Sequence, residues 1–345
     1  MRRRILFALL TLGLLLSAAC TADPAGEPAG EDLIVIGMCQ VGAESDWRVA
    51  NSESMKAVFT EANGYRLLFD DARQKQENQI TAIRKFIQQQ VDYIVLMPIR
   101  EGGWDSVLQE AREAGIPVIL VDRRVDVEDE ALYTAHVGSD FLEEGRRAVA
   151  WMEGTFQGAE DPVRIIHIQG TPGSTAQLGR TAALEEALEA HENWELLVRL
   201  GGDFTQAKTY EVMTDYLSSL PGPGDIDVVY CENDNIAFGA LQALEEQGYP
   251  CGRDGVNIIT FDATRGALAE CLNGRISLAV ECNPLLGPLA EEVIRTLEAG
   301  GSPEKHRYVE ELKAKGLAFA PRGAGAERRA DLRERLAQRG VAVRN

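Results

Sequence analysis

From Leu33 onward the chain alternates short apolar runs with longer amphipathic stretches. The runs are LIVIGM, RLLF, DYIVLMPI, IPVILVD and LYTAHV, followed by VRIIHI, ELLVRL, DVVY, VNIITF and ISLAV. They are continuous in Val, Ile and Leu rather than strictly alternating with polar residues, the pattern of strands covered on both faces. Between them, helical stretches fall at 47–63, 76–90, 104–115, 175–190, 205–220 and 235–248. Strand–helix repetition at this spacing predicts right-handed βαβ units and parallel sheets. The series is too long for one sheet, and a polar stretch near 137–160 divides it in two. The expected fold class is α/β, with two doubly wound, Rossmann-like lobes. A (β/α)8 barrel is the competing architecture.

In open parallel sheets, ligands bind beyond the carboxyl ends of the strands, where loops enter helix N-termini. Here those positions are 40–48, 70–76, 98–104 and 122–123 in the first group. In the second they are 169–180, 202–205, 232–235, 261–265 and 281–284. Nearly all carry Asp, Glu, Asn, Gln or Arg, which predicts a polar pocket between the two domains. Asp122, Arg123, Arg180, Asn233 and Asp262 could satisfy neutral hydroxyls, with the planar fork of Arg engaging two oxygens together. Trp47 could cover an apolar C–H face. That inventory suits a sugar. Blander readings stand beside it: Trp47 could pack at a helix start, and Asp122 could be a solvated loop acid. Trp104, after Gly102-Gly103, reads more as a helix anchor than a contact. Asp70 suits a pocket rim or a helix cap equally. Residues Asp126–Glu130 read as a solvated loop, lacking the oxygen spacing and Gly of a calcium loop.

At 345 residues, with 45% hydrophobic and 26% charged residues, the chain suits two soluble globular domains. A formal net charge of -19 disfavours nucleic acid or an anionic membrane surface as partner. The N-terminus reads as a targeting segment, with Arg2, Arg3 and Arg4 ahead of an apolar run from Ile5 to Leu16 that is too short to span a bilayer. Ala18-Ala19-Cys20 resembles a lipoprotein box, although Ser17 stands where Leu is usual. The expectation is a lipoprotein-type signal peptide over 1–20, with Cys20 lipidated. An ordinary signal peptide cut near the Ala pair is the alternative. Residues 21–32, rich in Ala, Gly, Pro and acids, read as a flexible linker. The protein is then exported, to a periplasm or an outer cell surface, and touches membrane only through its anchor.

Five further cysteines, Cys39, Cys231, Cys251, Cys271 and Cys282, include no CxxC, so zinc-ribbon and thioredoxin readings lack support. Cys251 and Cys271 flank one strand–helix unit and could form a disulfide in an export compartment, with buried thiols as the alternative. The four histidines, His136, His167, His191 and His306, form no HExxH or other metal-ligand spacing. GxSxG, GxxxxGK[ST] and a strand-following GxGxxG are missing too. Metal and cofactor sites are therefore not expected, and the chain does not read as an enzyme. A sugar-responsive transcription regulator would carry a basic helix-turn-helix where this chain has its signal segment and acidic linker.

Several of the strand-end segments resemble the type I periplasmic sugar-binding proteins of ABC transporters, relatives of ribose-binding protein, and most closely their galactofuranose-binding branch. VGAESDWR (41–48) is similar to that branch's VGSESGWR, and QKQENQI (74–80) matches it throughout. VDRRVDV (121–127) is similar to LDRSIDV, GDFTQAK (202–208) to GDFTRSK, and YCENDNIAFGA (230–240) to YAHNDDMVIGA. The resemblance implies lobes of 33–136 plus 284–306 and 137–283 plus 307–320, joined by a three-strand hinge, with ligand in the interlobe cleft. Residues 321–345 would form a C-terminal extension. It implies contacts from Glu44, Ser45, Trp47 and Arg48, from Asp122 and Arg123, from Arg180, and from Asn233 and Asp262. Glu281 falls where the family has a polar residue at a hinge crossing; a surface acid is the alternative. Ala43, Asp46, Cys231-Glu232 and Asn235 depart from the family's pattern, and Asp46 and Glu232 fall beside expected contacts. The implied function is capture of a monosaccharide, galactofuranose-like or a related aldose, by a monomer that delivers it to an ABC transporter permease. Presentation of the ligand to a chemoreceptor or sensor kinase is the alternative.

Overall fold

A computed structural model describes residues 33–220, 226–252, 255–309 and 318–319. The expected signal peptide with Cys20, the linker 21–32 and the extension 321–345 lie outside the described residues.

The first half of the chain folds as β1 (Ile34–Gln40), α1 (Asp46–Val58), β2 (Tyr65–Asp71), α2 (Gln76–Gln88), β3 (Tyr93–Leu96), α3 (Asp105–Glu113), β4 (Val118–Val121) and β5 (Ala135–Gly138). The second half runs α4 (Phe141–Thr155), β6 (Val163–Gln169), α5 (Thr175–Ala190), β7 (Trp194–Gly201), α6 (Gln206–Ser219), β8 (Val228–Cys231), α7 (Asp234–Glu246), β9 (Asn257–Asp262), α8 (Arg265–Asn273) and β10 (Leu278–Glu281). Helix α9 (Gly287–Glu298) and two short strands, β11 (His306–Tyr308) and β12 (Ala318–Phe319), follow.

These strands form two sheets, in the orders β11-β5-β4-β3-β1-β2 and β12-β10-β9-β8-β6-β7. The first is parallel throughout, and the second is parallel except for antiparallel β12. The barrel alternative is thereby excluded. Strands β3, β4, β8 and β10 are buried at every position, as expected when helices cover both faces. In β8, Val228 and Tyr230 face one hydrophobic cluster with α4 and α5, while Val229 and Cys231 face the opposite cluster with α6 and α7. Period-two alternation thus feeds two cores from one apolar run.

All ten apolar runs are strands. The helices differ more. The expected helix 47–63 ends at Val58 and is followed by a separate 3-10 turn, Glu61–Asn63, closed by Gly64 with φ 89°. The polar stretch near 137–160 is not a mere divider, since it holds α4, capped by Asp140, whose side chain accepts from Glu143 N. Its apolar positions were masked by the charges of EEGRR. Strand β5 carries the first sheet to Gly138 and β11 carries it to Tyr308, two residues past the expected switch points at 136 and 306. The chain passes between sheets after β5, after β10 and again between β11 and β12.

Candidate functional site

In both sheets the strand order reverses beside the first strand of the half, at β1/β3 and at β6/β8. The cleft that forms beyond the carboxyl ends of these strands is where such folds hold ligands. Helices enter it through polar caps. Ser45, Ser174, Thr205 and Asn233 accept the first free N–H groups of α1, α5, α6 and α7.

Nine of the ten expected contact residues line one cavity there: Glu44, Ser45, Trp47, Arg48, Asp122, Arg123, Arg180, Asn233 and Asp262. Glu281 does not. It is buried at the end of β10, and its neighbour Cys282 lines the wall instead. Phe141, Ala176 and Phe204 complete the lining.

The cavity is charged but balanced, with three carboxylates (Glu44, Asp122, Asp262) against three guanidiniums (Arg48, Arg123, Arg180). Arg48 lies 2.7 Å from Asp122 Oδ2 and donates through Nε to Glu44 Oε1 at 3.1 Å. Burial alone would lower the Arg48 pKa, but Asp122 and then Glu44 outweigh it and raise it. Arg123 donates to the Ile99 carbonyl at 3.0 Å. Burial, reinforced by the repulsion of Arg48, pulls its pKa down to about 10, so it stays cationic at neutral pH. Arg180 is held by Glu144, at 2.9 Å from Nε and 2.7 Å from Nη2, and approaches Asp262 Oδ1 at 3.5 Å. Rings sit over these cations: Trp47 at 4.7 Å from Arg48, Phe204 at 5.1 Å from Arg123, and Phe261 at 4.7 Å from Arg180.

The site nonetheless keeps unused valences. Glu44 Oε2, Arg48 Nη1 and Arg123 Nε are buried without a hydrogen-bond partner. Buried polar atoms are nearly always satisfied, so such atoms in one wall are open to a polar partner. Asn233 accepts from Ile236 N through Oδ1, capping α7, and donates through Nδ2 to Phe204 O at 3.4 Å.

The alternatives left open by the sequence divide cleanly. Trp47 lines the cavity and also packs, donating Nε1 to Cys282 O at 2.8 Å. Trp104 is wholly buried at the start of α3, where it donates to Arg100 O, and is an anchor. Asp70 neither caps α2, which starts after Lys75 without a side-chain cap, nor lines the cavity; it lies 3.7 Å from Lys85. Asp126, Glu128, Asp129 and Glu130 are exposed, as expected of a solvated loop. Glu232 turns away from the cavity, accepting from Gly170 N and Thr181 Oγ1 and meeting His167 Nε2 at 2.9 Å. That departure is therefore structural. Asp46 and Asn235, two other departures, meet across the cleft, where Asp46 N donates to Asn235 Oδ1 at 3.1 Å. The disulfide considered for Cys251 and Cys271 is not formed. The Cys251 thiol donates to Tyr249 O, and Cys271 is buried on the core face of α8.

The sequence pattern missed Phe141, did not single out Phe204 or Cys282 within 202–205 and 281–284, and missed Glu144. The first and last lie in the stretch taken for a divider, where the SDFLEE segment carried a helix-start signal of capping Asp followed by acids.

No metal-binding cluster of His, Cys, Asp and Glu exists among the described residues.

Comparison with known proteins gives a consistent picture. The periplasmic binding protein domain model matches residues 36–298. The galactofuranose-binding protein YtfQ of Escherichia coli (strain K12) is 35% identical over 275 residues, covering 79% of this chain and 85% of that protein. The arabinose ABC transporter binding component of Shewanella sp. ANA-3, solved with α- and β-L-arabinofuranose, is 35% identical with a TM-score of 0.78, covering 90% of this chain and 100% of that one. A Mycobacterium smegmatis structure in complex with β-D-fucofuranose is 39% identical with a TM-score of 0.79, covering 88% of this chain and 97% of that one.

Proposed function

The chain belongs to the periplasmic binding protein family, and on that premise we propose that it is an extracytoplasmic sugar-binding protein of an ABC importer. It takes a monosaccharide in furanose form between its two lobes and releases it unaltered to the permease. Its relatives bind galactofuranose, arabinofuranose and fucofuranose. A lipid anchor at Cys20 and a monomeric state complete the proposal.

The observation that carries it is the balanced, buried wall with unpaired Glu44 Oε2, Arg48 Nη1 and Arg123 Nε. A neutral polyol can donate to the carboxylate and accept from both guanidiniums without disturbing the charge balance. Trp47 and Phe204 offer apolar faces for its C–H groups. In this role the ten residues named from the sequence divide into nine ligand contacts and one hinge neighbour, Glu281.

A thermal-shift screen of monosaccharides tests the reading, since a ligand of the native state raises its stability. D-galactose, D-fucose and L-arabinose, whose solutions contain furanose forms, should raise the melting temperature. Calorimetry should show Arg123→Ala losing about 2–3 kcal/mol of binding, a tens- to hundred-fold weakening. If no sugar stabilises the protein, or any is chemically converted, the proposal fails.

A further inference from the structure

Asp122 stands in the left-handed region, with φ 68°, a conformation Asp enters more readily than most L-residues but still at a cost that its contacts must offset. This bend lets its carboxylate reach Arg48 while the next residue, Arg123, turns toward Ile99. Two contacts clamp the bend. Asp122 N donates to Val137 O at 2.8 Å, and Asp122 O lies 3.0 Å from His136 Nε2. A carbonyl only accepts, so Nε2 carries the proton and the neutral ring leaves Nδ1 bare. That Nδ1 is indeed buried without a partner. Burial, against the pull of the Asp122 carbonyl, holds the His136 pKa down to about 4, which keeps the ring neutral.

The neighbouring glycine fits the same purpose. A Cβ on Gly138 would fall 2.4 Å from Asp122 O and 2.7 Å from His136 Nε2, inside the bond itself. Behind the imidazole stands β11, with His306 opposite His136 in register and its ring 5.8 Å away. The Tyr308 ring lies 6.2 Å from His136 on the same strand, from which the chain leaves the first sheet.

We propose that His136 is a positioning residue for sugar binding: its Nε2–H fixes the left-handed Asp122 and so the Arg48–Asp122–Arg123 wall, and residue 138 is glycine to leave room for that bond. The proposal rests on the sugar-binding reading above. Gln is the conservative replacement, because it places an amide N–H the same number of bonds from Cβ. Leu fills the space without a donor.

Calorimetry with D-galactose, D-fucose and L-arabinose on wild type, His136→Leu, His136→Gln and Gly138→Ala tests it. His136→Leu and Gly138→Ala should each lose about tenfold or more in affinity, while His136→Gln stays within about threefold of wild type. Hydrogen exchange in the ligand-free proteins supplies a second readout. The Asp122 amide should exchange faster in the Leu and Ala variants and not in the Gln variant. A folded His136→Leu with wild-type affinity and exchange overturns the inference, as does a Gln variant no better than Leu. Should His136→Leu fail to fold, wild-type behaviour of Gly138→Ala overturns it instead. Wild type binding none of the three sugars would instead count against the sugar-binding reading, and the exchange comparison would still judge His136.

Discussion

Asp234 is a carboxylate with no exposed surface at the first position of α7, one residue beyond the pocket's Asn233. It accepts from Thr260 Oγ1 at 2.9 Å and from Thr264 N at 2.6 Å. Burial outweighs these bonds and raises its pKa to about 7. Asp262 is raised as well, by burial first, with Arg180 opposing and Asp234 adding repulsion. A carboxyl whose folded pKa lies above its unfolded value holds its proton more tightly when folded. Its contribution to stability is therefore greatest in acid and is lost as pH rises from about 4 through about 7. Asp234→Asn should abolish that slope, gaining on wild type at about pH 8 relative to about pH 5 in urea titrations. An unchanged slope would assign the titration elsewhere. At this scale the sequence was legible where a polar residue follows a strand, as at Asp122, Arg123 and Asp262. It was not legible at Glu144, whose role depends on Arg180 being 36 residues away in the chain and 2.7 Å away in space.

The elements repeat. Each half has the same strand order, and each places left-handed residues at matching points: Arg73 and Gln74 before α2, Asp203 and Phe204 before α6, Asp122 just past β4, and Asp262 and Ala263 at the end of β9. None of this showed in the hydrophobic pattern, because positive φ at non-glycine residues leaves no compositional trace. Strands were readable because burial on both faces forces continuous apolar runs. Short β11 and β12 were not, since two or three residues carry no periodicity. Helix α4 was hidden by its charges, yet it packs closely on α5 through a glycine. A Cβ on Gly145 would lie 2.6 Å from Ala183 Cβ and 3.2 Å from Arg180 Cα. Gly145→Val should therefore cost about 1–3 kcal/mol in denaturant unfolding. It should also weaken sugar binding, because Glu144 beside it holds Arg180. Stability and affinity both unchanged would mean the helices separate freely.

In this structure the two halves are closed on each other. The halves meet directly through Asp46 N to Asn235 Oδ1, Glu101 N to Gly173 O at 2.8 Å and Arg124 N to Thr175 Oγ1 at 3.1 Å. The cavity between them is about 20 Å³, roughly room for one water and far below the roughly 300–1,000 Å³ of small-ligand clefts. A sugar therefore enters only when the lobes part, and they close around it less tightly than they do here. Small-angle scattering should show a smaller radius of gyration with saturating D-galactose than without, and no change would argue for a rigid site. The two-lobe plan was legible from the number of strands. The crossings were implied only by the family resemblance, since a hinge is a property of connection and not of periodicity.

Charge balance in the cavity carries one more consequence. Two of its guanidiniums are already paired with carboxyl groups, Arg48 with Asp122 and Glu44 and Arg180 with Glu144. A phosphorylated or uronic sugar would have to shed its hydration against guanidiniums already engaged with carboxyl groups of the protein. On the sugar-binding reading a neutral sugar should therefore be preferred to its charged counterpart, and effective competition by galacturonate against D-galactose would show the opposite.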